Sequence, residues 1–474
     1  MLRPAARART SRAASGQLIR RPRLIVGLGV LTLLSTLACG DGGSTRRGAK
    51  DNRSARQPSP RSPRRNPDEA FDSPLGARNP ERCRAAMAEL DTLTALHADP
   101  TLSGSPAAVA AAEAAWTGTG AASPGLRDWV AAVDLRLGRT PPGDPELGRD
   151  TIAAELALAQ LRAADGPEDR YIALTLFLTH VRTAAFLEAR RLLAAASDHE
   201  PPEPGTDPDA SPEPGTPPLD LQKLDLPKQW DEAWCLWSSA LQPIALAVDA
   251  SPARGGEDWA PSIVAGFHRG RLGFPDSGDS HDASVTKPAR QVIEKGSYAF
   301  IQRRILDRAG APVDDPSGPA EALALLNLIE DRIIDRNGPG LARIRAMLAG
   351  PQTDIDVASI ERELAVAFVK RARKYCDEAV TGGGLGSPEA IKGAWEGEIY
   401  SRVFLPGMAE ALEPDGFDPD AYLADWEDYR AAVSSSDMAS ATDISTRLVQ
   451  WNCAYQDRLG IAACTSTGNE APAE

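Results

Sequence analysis

The residues of this chain best placed to do chemistry are carboxylates set among aromatic side chains. Trp230-Asp231-Glu232-Ala233-Trp234-Cys235-Leu236-Trp237 is one such run, and Ala394-Trp395-Glu396-Gly397-Glu398-Ile399-Tyr400 is a second. In the first, Trp230, Trp234 and Trp237 fall at spacings of four and three, so a helix puts them on one face with Asp231 and Glu232 beside it. Between the two runs lie Glu294, the pair Glu330-Asp331, and Glu361 with Glu363. Carboxylates that project inward from several helices are how helical bundles build oxygen-rich sites for hard cations. A buried carboxylate with no partner is costly or protonates, so an inward-facing set implies a cation, an Arg or Lys partner, or water. The expected metal set is Asp231, Glu232, Glu294, Glu363 and Glu398, with His180 standing in the first half of the chain where Glu398 stands in the second. The competing assignment is helix ion pairing. Lys228 lies one turn before Glu232, Arg290 one turn before Glu294, and Arg332 and Arg336 follow Glu330-Asp331. In that case the tryptophan stripe is core.

Enzyme constellations are missing from the sequence. The five histidines, His97, His180, His199, His268 and His281, form no HExxH, and there is no GxSxG, P-loop or strand-linked GxGxxG. Gly382-Gly383-Gly384 sits in a loop with no strand before it. The expectation is a non-catalytic protein. Five cysteines follow Cys39, an odd number without CxxC spacing, and Cys453 and Cys464 are close enough to bridge a C-terminal turn.

The first forty residues carry an address. Seven arginines and no acid occupy residues 1–23, then LIVGLGVLTLLSTL runs from Leu24 to Leu37 without a charge, and small residues precede Cys39. That run is shorter than the roughly 20 residues a membrane-spanning helix needs. Leu37-Ala38-Cys39-Gly40 resembles a bacterial lipobox, with Thr36 in place of the usual Leu. The resemblance implies that residues 1–38 are a lipoprotein signal peptide and that Cys39 bears the lipid. Gly40 rather than Asp follows, so the expected location is exported and anchored to the outer membrane.

Residues 39–78 are dominated by Gly, Ser, Arg, Pro and Asn and are expected to be a disordered tether. Residues 1–66 hold 15 Lys and Arg against two Asp, leaving a remainder near −27. A body that acidic excludes nucleic acid as a partner, and the membrane is reached through the lipid. From there the pattern is helical. Apolar residues recur at helical intervals in Cys83–His97, Pro106–Trp116, Leu126–Leu137, Leu147–Ala164 and Arg170–Ala195. The pattern resumes at Pro227–Val248, Ala260–Leu272, Lys287–Arg308, Pro319–Asp335 and Ala342–Leu348, then at Val357–Glu378, Ser387–Phe404, Asp420–Ser434 and Ala439–Tyr455. Strand-like alternation is scarce, so the expected class is all-α. The expected order is a helical block at 79–198, a Pro/acidic linker at 199–221, a main helical domain at 222–464 and a disordered tail at 465–474. An internal echo links residues 151–159 to 359–367, and RTAAFL at Arg182 to RVFL at Arg402. It is read either as a duplicated helical unit or as the common composition of Ala/Leu-rich helices.

The runs WDEAWCLW, PARQVIEKGSYAFIQRRILDRA, DIDVASIERELAVAFVKRA and GAWEGEIYSRVFLPGM resemble the low iron-inducible periplasmic proteins. The likeness lies in their order and covers about residues 225–410, with a degenerate copy at 145–198. It implies an extracytoplasmic binding role in iron or other metal acquisition. The GxHxxE motif of imelysin-type iron-uptake proteins is met at Gly266 and His268, with Arg271 in the place of the glutamate. The alternative expectation is a helical scaffold that binds another envelope protein without metal.

Overall fold

The computed structural model describes residues 81–99, 101–120, 123–140, 148–198, 225–251, 257–275 and 280–465. The chain divides into two units, Met1–Glu69 and Ala70–Glu474, and everything described belongs to the second. The signal peptide, Cys39, the tether, the Pro/acidic linker and the tail beyond Thr465 lie outside the described residues.

The described residues are helical throughout apart from one small ribbon. Before the linker come α1 (Glu81–Ala98), α2 (Pro106–Thr117), α3 (Leu126–Arg136), α4 (Arg149–Ala163) and α5 (Pro167–Ser197). After it come α6 (Leu226–Ala240), α7 (Gln242–Asp249), α8 (Trp259–Leu272), α9 (Ala283–Ala309), α10 (Ser317–Leu326) and α11 (Glu330–Leu348). The remainder are α12 (Val357–Tyr375), α13 (Glu378–Thr381), α14 (Pro388–Leu412), α15 (Pro419–Ser434) and α16 (Met438–Arg458). The ribbon pairs Gly118–Gly120 with Ser123–Pro124 antiparallel, just where the sequence leaves a gap between helical runs.

Local chemistry sets the helix ends. Asp225, Asp282, Asp356, Ser387, Asp418 and Asp437 each precede a helix and accept a backbone N–H of its first turn. Each satisfies a donor that the helix itself cannot. The expected single helix Pro227–Val248 is two, α6 and α7, because Pro243 cannot continue the hydrogen-bond ladder and instead starts a new first turn. The expected break between Asp335 and Ala342 is a kink inside α11. Asn337 takes non-helical angles (φ −151°, ψ 57°) just before Gly338-Pro339.

The linker does not separate two cores. α5 packs on α6 and α10, and α1 packs on α6, so helices from both sides of it share one apolar interior. α5 has the length and composition to cross a membrane, but most of its apolar stretch is buried in that interior. The tryptophan stripe is part of it too. Trp230 donates its indole N–H to the Phe267 carbonyl at 3.0 Å, and Trp237 donates to Ser297 Oγ at 2.9 Å. α8 comes so close that a Cβ on Gly270 would lie 2.0 Å from the Trp230 ring. α9 is the central rod, with α5, α8, α10, α12 and α14 around it. Cys453 is bridged to Cys464, which ties the segment after α16 back onto it. Cys235 is also disulfide-bonded, and Cys376 is a buried free thiol.

Candidate functional site

The predicted metal residues are distributed over five helices, and the structure does not bring them together. Among the described residues, no group of three or more His, Cys, Asp or Glu side chains is arranged to hold a metal ion. The physical reason is visible at four of the five carboxylates, where a guanidinium has arrived first. Asp231 on α6 faces Arg271 Nε of α8 at 3.3 Å. Arg271 is the residue that replaces the glutamate of the GxHxxE pattern, so the charge reversal there has a use. Its neighbour Glu232, half-buried, acts on Arg191, which Glu188 holds at 2.8 Å. Glu363 on α12 takes both arms of Arg343 at 2.8 Å and the Asn337 amide at 2.8 Å. Burial works to raise its pKa, but the Arg343 and Asn337 hydrogen bonds prevail and lower it. Glu398 on α14 binds Arg402 one turn on at 2.6 Å and also Arg430, whose guanidinium lies 3.8 Å over the Trp395 ring. His180 on α5 is half-buried, and burial together with the Arg149 charge lowers its pKa to about 4. It is neutral at physiological pH, but none of the five carboxylates pairs with it.

Glu294 is the most heavily neutralised of the set. It sits on α9, 2% exposed, and four cations from three helices surround it. Arg332 of α11 lies at 3.0 Å, Lys295 at 3.1 Å, Arg190 of α5 at 3.2 Å and Arg290 at 3.5 Å. The Tyr298 hydroxyl, one turn along α9, donates to the same carboxylate. Burial pushes the Glu294 pKa up, but the fields of Lys295, Arg190, Arg332 and Arg290 outweigh it and hold the carboxyl well below the ordinary range. Asp331 shares Arg190 at 2.8 Å, and Asp198 takes Arg290, so the cations are themselves balanced. This is a closed structural node that links α5, α9 and α11.

Lys295 also reaches outward. Its ammonium is 3.4 Å from Glu396 on α14, and Glu396 is one wall of a cleft of about 230 Å³. The end of α12 (Lys374, Tyr375), α13 (Glu378), the loop 382–387 and the first turns of α14 close the other sides. The glycine run in the loop is required by geometry: Gly383 and Gly386 have φ of +69° and +81°, values that side chains resist. At the floor the Tyr375 hydroxyl donates to Glu396; burial first, and then the Glu396 charge, keep that phenol protonated far above its usual range. Around the mouth, Lys374 sits 3.3 Å from Glu378, and Lys392 lies 2.5 Å from Glu389. Glu389 also pairs with Lys287, and it is held at a pKa of about 2 because these lysines outweigh the cost of its partial burial.

Glu396 lies in the same acidic-aromatic run as Glu398, the carboxylate expected to bind metal. Two residues apart on a helix are about 200° apart around it. Glu398 therefore turns to Arg402 and Arg430 while Glu396 turns to the cleft. The available signal was Gly393: with no side chain there, α14 leaves room beside Tyr375 and Glu378. A second, shallower groove lies beside His97, which stacks on Tyr171 and meets Thr175 Oγ1 at 2.7 Å. Burial and the charges of Arg182, Arg304 and Arg308 lower the His97 pKa to about 4, so the groove presents a neutral ring. No protein family, curated protein or solved structure matches this chain.

Proposed function

We propose that this chain is an exported, lipid-anchored, non-catalytic binding protein whose helical body takes a small organic ligand in the α12–α14 cleft. Export and lipidation rest on the charged and apolar runs before Leu37-Ala38-Cys39-Gly40. The observation that carries the binding role is the contrast among buried carboxylates. Four of the five expected to hold iron or another cation already have arginine partners, whereas Glu396 faces a cavity with Lys295 behind it. Neutralisation by arginine removes the uncompensated charge that would draw a hard cation. A cleft with a few convergent polar groups is the usual form of a small-ligand site.

The test is ligand-observed NMR on the full chain with a library of small polar compounds, repeated on Gly393→Leu. A Cβ at Gly393 meets Tyr375 and Glu378 at 3.6 and 3.7 Å, ordinary contact distances, so the leucine fills the cleft without disturbing backbone. Compounds that bind the native chain and are lost in Gly393→Leu support the assignment. A library that yields none with this behaviour sinks it. Cys39→Ala, which should move the protein from the detergent phase to the aqueous phase, tests the anchor separately.

A further inference from the structure

The cleft also carries information about what it holds, and this inference rests on the binding role just proposed. We propose that it binds a small ligand through a primary ammonium group, seated on the Glu396 carboxylate with the Tyr375 ring alongside.

Three carboxylates and two lysines line the cleft, and they are not equally occupied. Glu378 has Lys374, and Glu389 has both Lys287 and Lys392. Among the described residues Glu396 makes its ion pair with Lys295, and that ammonium lies nearer to Glu294, at 3.1 Å against 3.4 Å. Glu396 is therefore the cleft carboxylate that shares its lysine with another buried acid, while its side chain is nine-tenths buried. A carboxylate in that position gains from one more positively charged donor, and an ammonium brings three N–H groups.

The features that would suit an anion are already used. The first turn of α14 points its N–H groups toward this region, but Ser387 Oγ accepts the Ala390 N–H, Pro388 has none, and Glu389 puts a negative charge there. α12 meanwhile ends at Tyr375, so its carbonyl end adds negative partial charge on the cleft side. The Tyr375 face accepts an ammonium within the protein itself, since Lys374 Nζ stands 5.2 Å from its centroid. The volume corresponds to about eight waters at roughly 30 Å³ each, which suits a short alkyl or amino-acid-sized chain and not a polymer.

The experiment is isothermal titration calorimetry on the full-length chain in detergent, with 1,4-diaminobutane as the ammonium probe and succinate as the anionic probe of similar size. The expected result is saturable binding of 1,4-diaminobutane and none of succinate. Glu396→Gln should weaken the diamine by about tenfold or more, because it removes the charge that seats the ammonium. Gly393→Leu should abolish binding while leaving the urea midpoint unchanged or raised, since it replaces a helical glycine. Succinate binding that is lost in Gly393→Leu would retain the cleft as a binding site and overturn the ammonium. Diamine binding that survives both substitutions would place the ammonium elsewhere and overturn the proposal. Binding of neither probe at millimolar concentration overturns it as well, while the NMR library still decides whether the cleft holds some other compound.

Discussion

Lys295 touches two carboxylates that live in different surroundings. Glu294 is enclosed by four cations and a tyrosine hydroxyl drawn from α5, α9 and α11, and those cations are balanced by further acids. Glu396 has one shared lysine and one tyrosine, and beyond them an open cleft. Both residues are acidic and largely buried, and neither burial nor residue type separates them. What separates them is how many fixed positive groups arrive from elsewhere in the chain. A saturated carboxylate is a fastener, while one with spare capacity is a place where something else can be held.

The contrast is most sharply tested by deleting each acid in turn. Glu294→Ala leaves Arg190, Arg290, Lys295 and Arg332 facing one another in the interior, and should cost about 3–5 kcal/mol in urea unfolding. A loss below about 1 kcal/mol would show that the node is not a fastener. The next effect is in acid. His97 and His180 have folded-state pKa values near 4, below the unfolded value of 6.5. Their contribution to stability is complete above pH 6.5 and is lost as pH falls toward 4, of order 1–2 kcal/mol each once residual solvent contact is allowed for. Asp150 works the other way. Burial raises its pKa to about 6, so its contribution is complete below its ordinary 3.8 and is lost as pH rises through 6. Glu294, with its pKa depressed, keeps its contribution down to about pH 4.5 and loses it only below. Replacing both histidines by Gln should therefore flatten the stability profile between pH 6.5 and 4 and leave the steeper fall at lower pH to Glu294. A profile unchanged by the double substitution would remove the histidines from the account.

Smaller still is the structural cost of Glu396→Gln. Lys295 retains Glu294, and the amide can still accept from Tyr375, so the loss should be about 1 kcal/mol or less by the same urea assay. A loss as large as that of Glu294→Ala would erase the difference between the two acids. The smallest expected effect is that of metal. Ferrous or ferric iron, or a chelator, should leave the melting temperature where it is, because a ligand shifts stability only by binding the folded state. A reproducible rise with iron would restore a cation site among the carboxylates.

Much of the helical framework was legible in the sequence because apolar periodicity and Asp or Ser caps are local signals. The break at α6 and α7 was misread, although Pro243 announced it. The fates of the carboxylates were hidden for a different reason. The arginines one turn away, such as Arg290 and Arg402, could be found by counting, but Arg190 lies 104 residues from Glu294 and Arg343 comes from a neighbouring helix. Whether an acid is saturated depends on such distant partners, and spacing along one helix cannot supply them. The cleft was missed because its walls are glycines and a loop, which advertise space only once α12, α13 and α14 are placed together.

The fastening of α4 and α5 to the helices beyond the Pro/acidic segment has a further consequence. Arg190 holds Glu294 and Asp331, Arg149 holds Glu330, and Asp198 holds Arg290, all across that segment, over a shared apolar interior. A single peptide-bond cut between Asp198 and Asp225 should therefore leave one particle under native conditions, and should release two only in denaturant with a thiol reductant, since Cys235 is disulfide-bonded as well. Expressed as separate polypeptides, the two halves should associate on mixing, each supplying counter-charges that the other lacks.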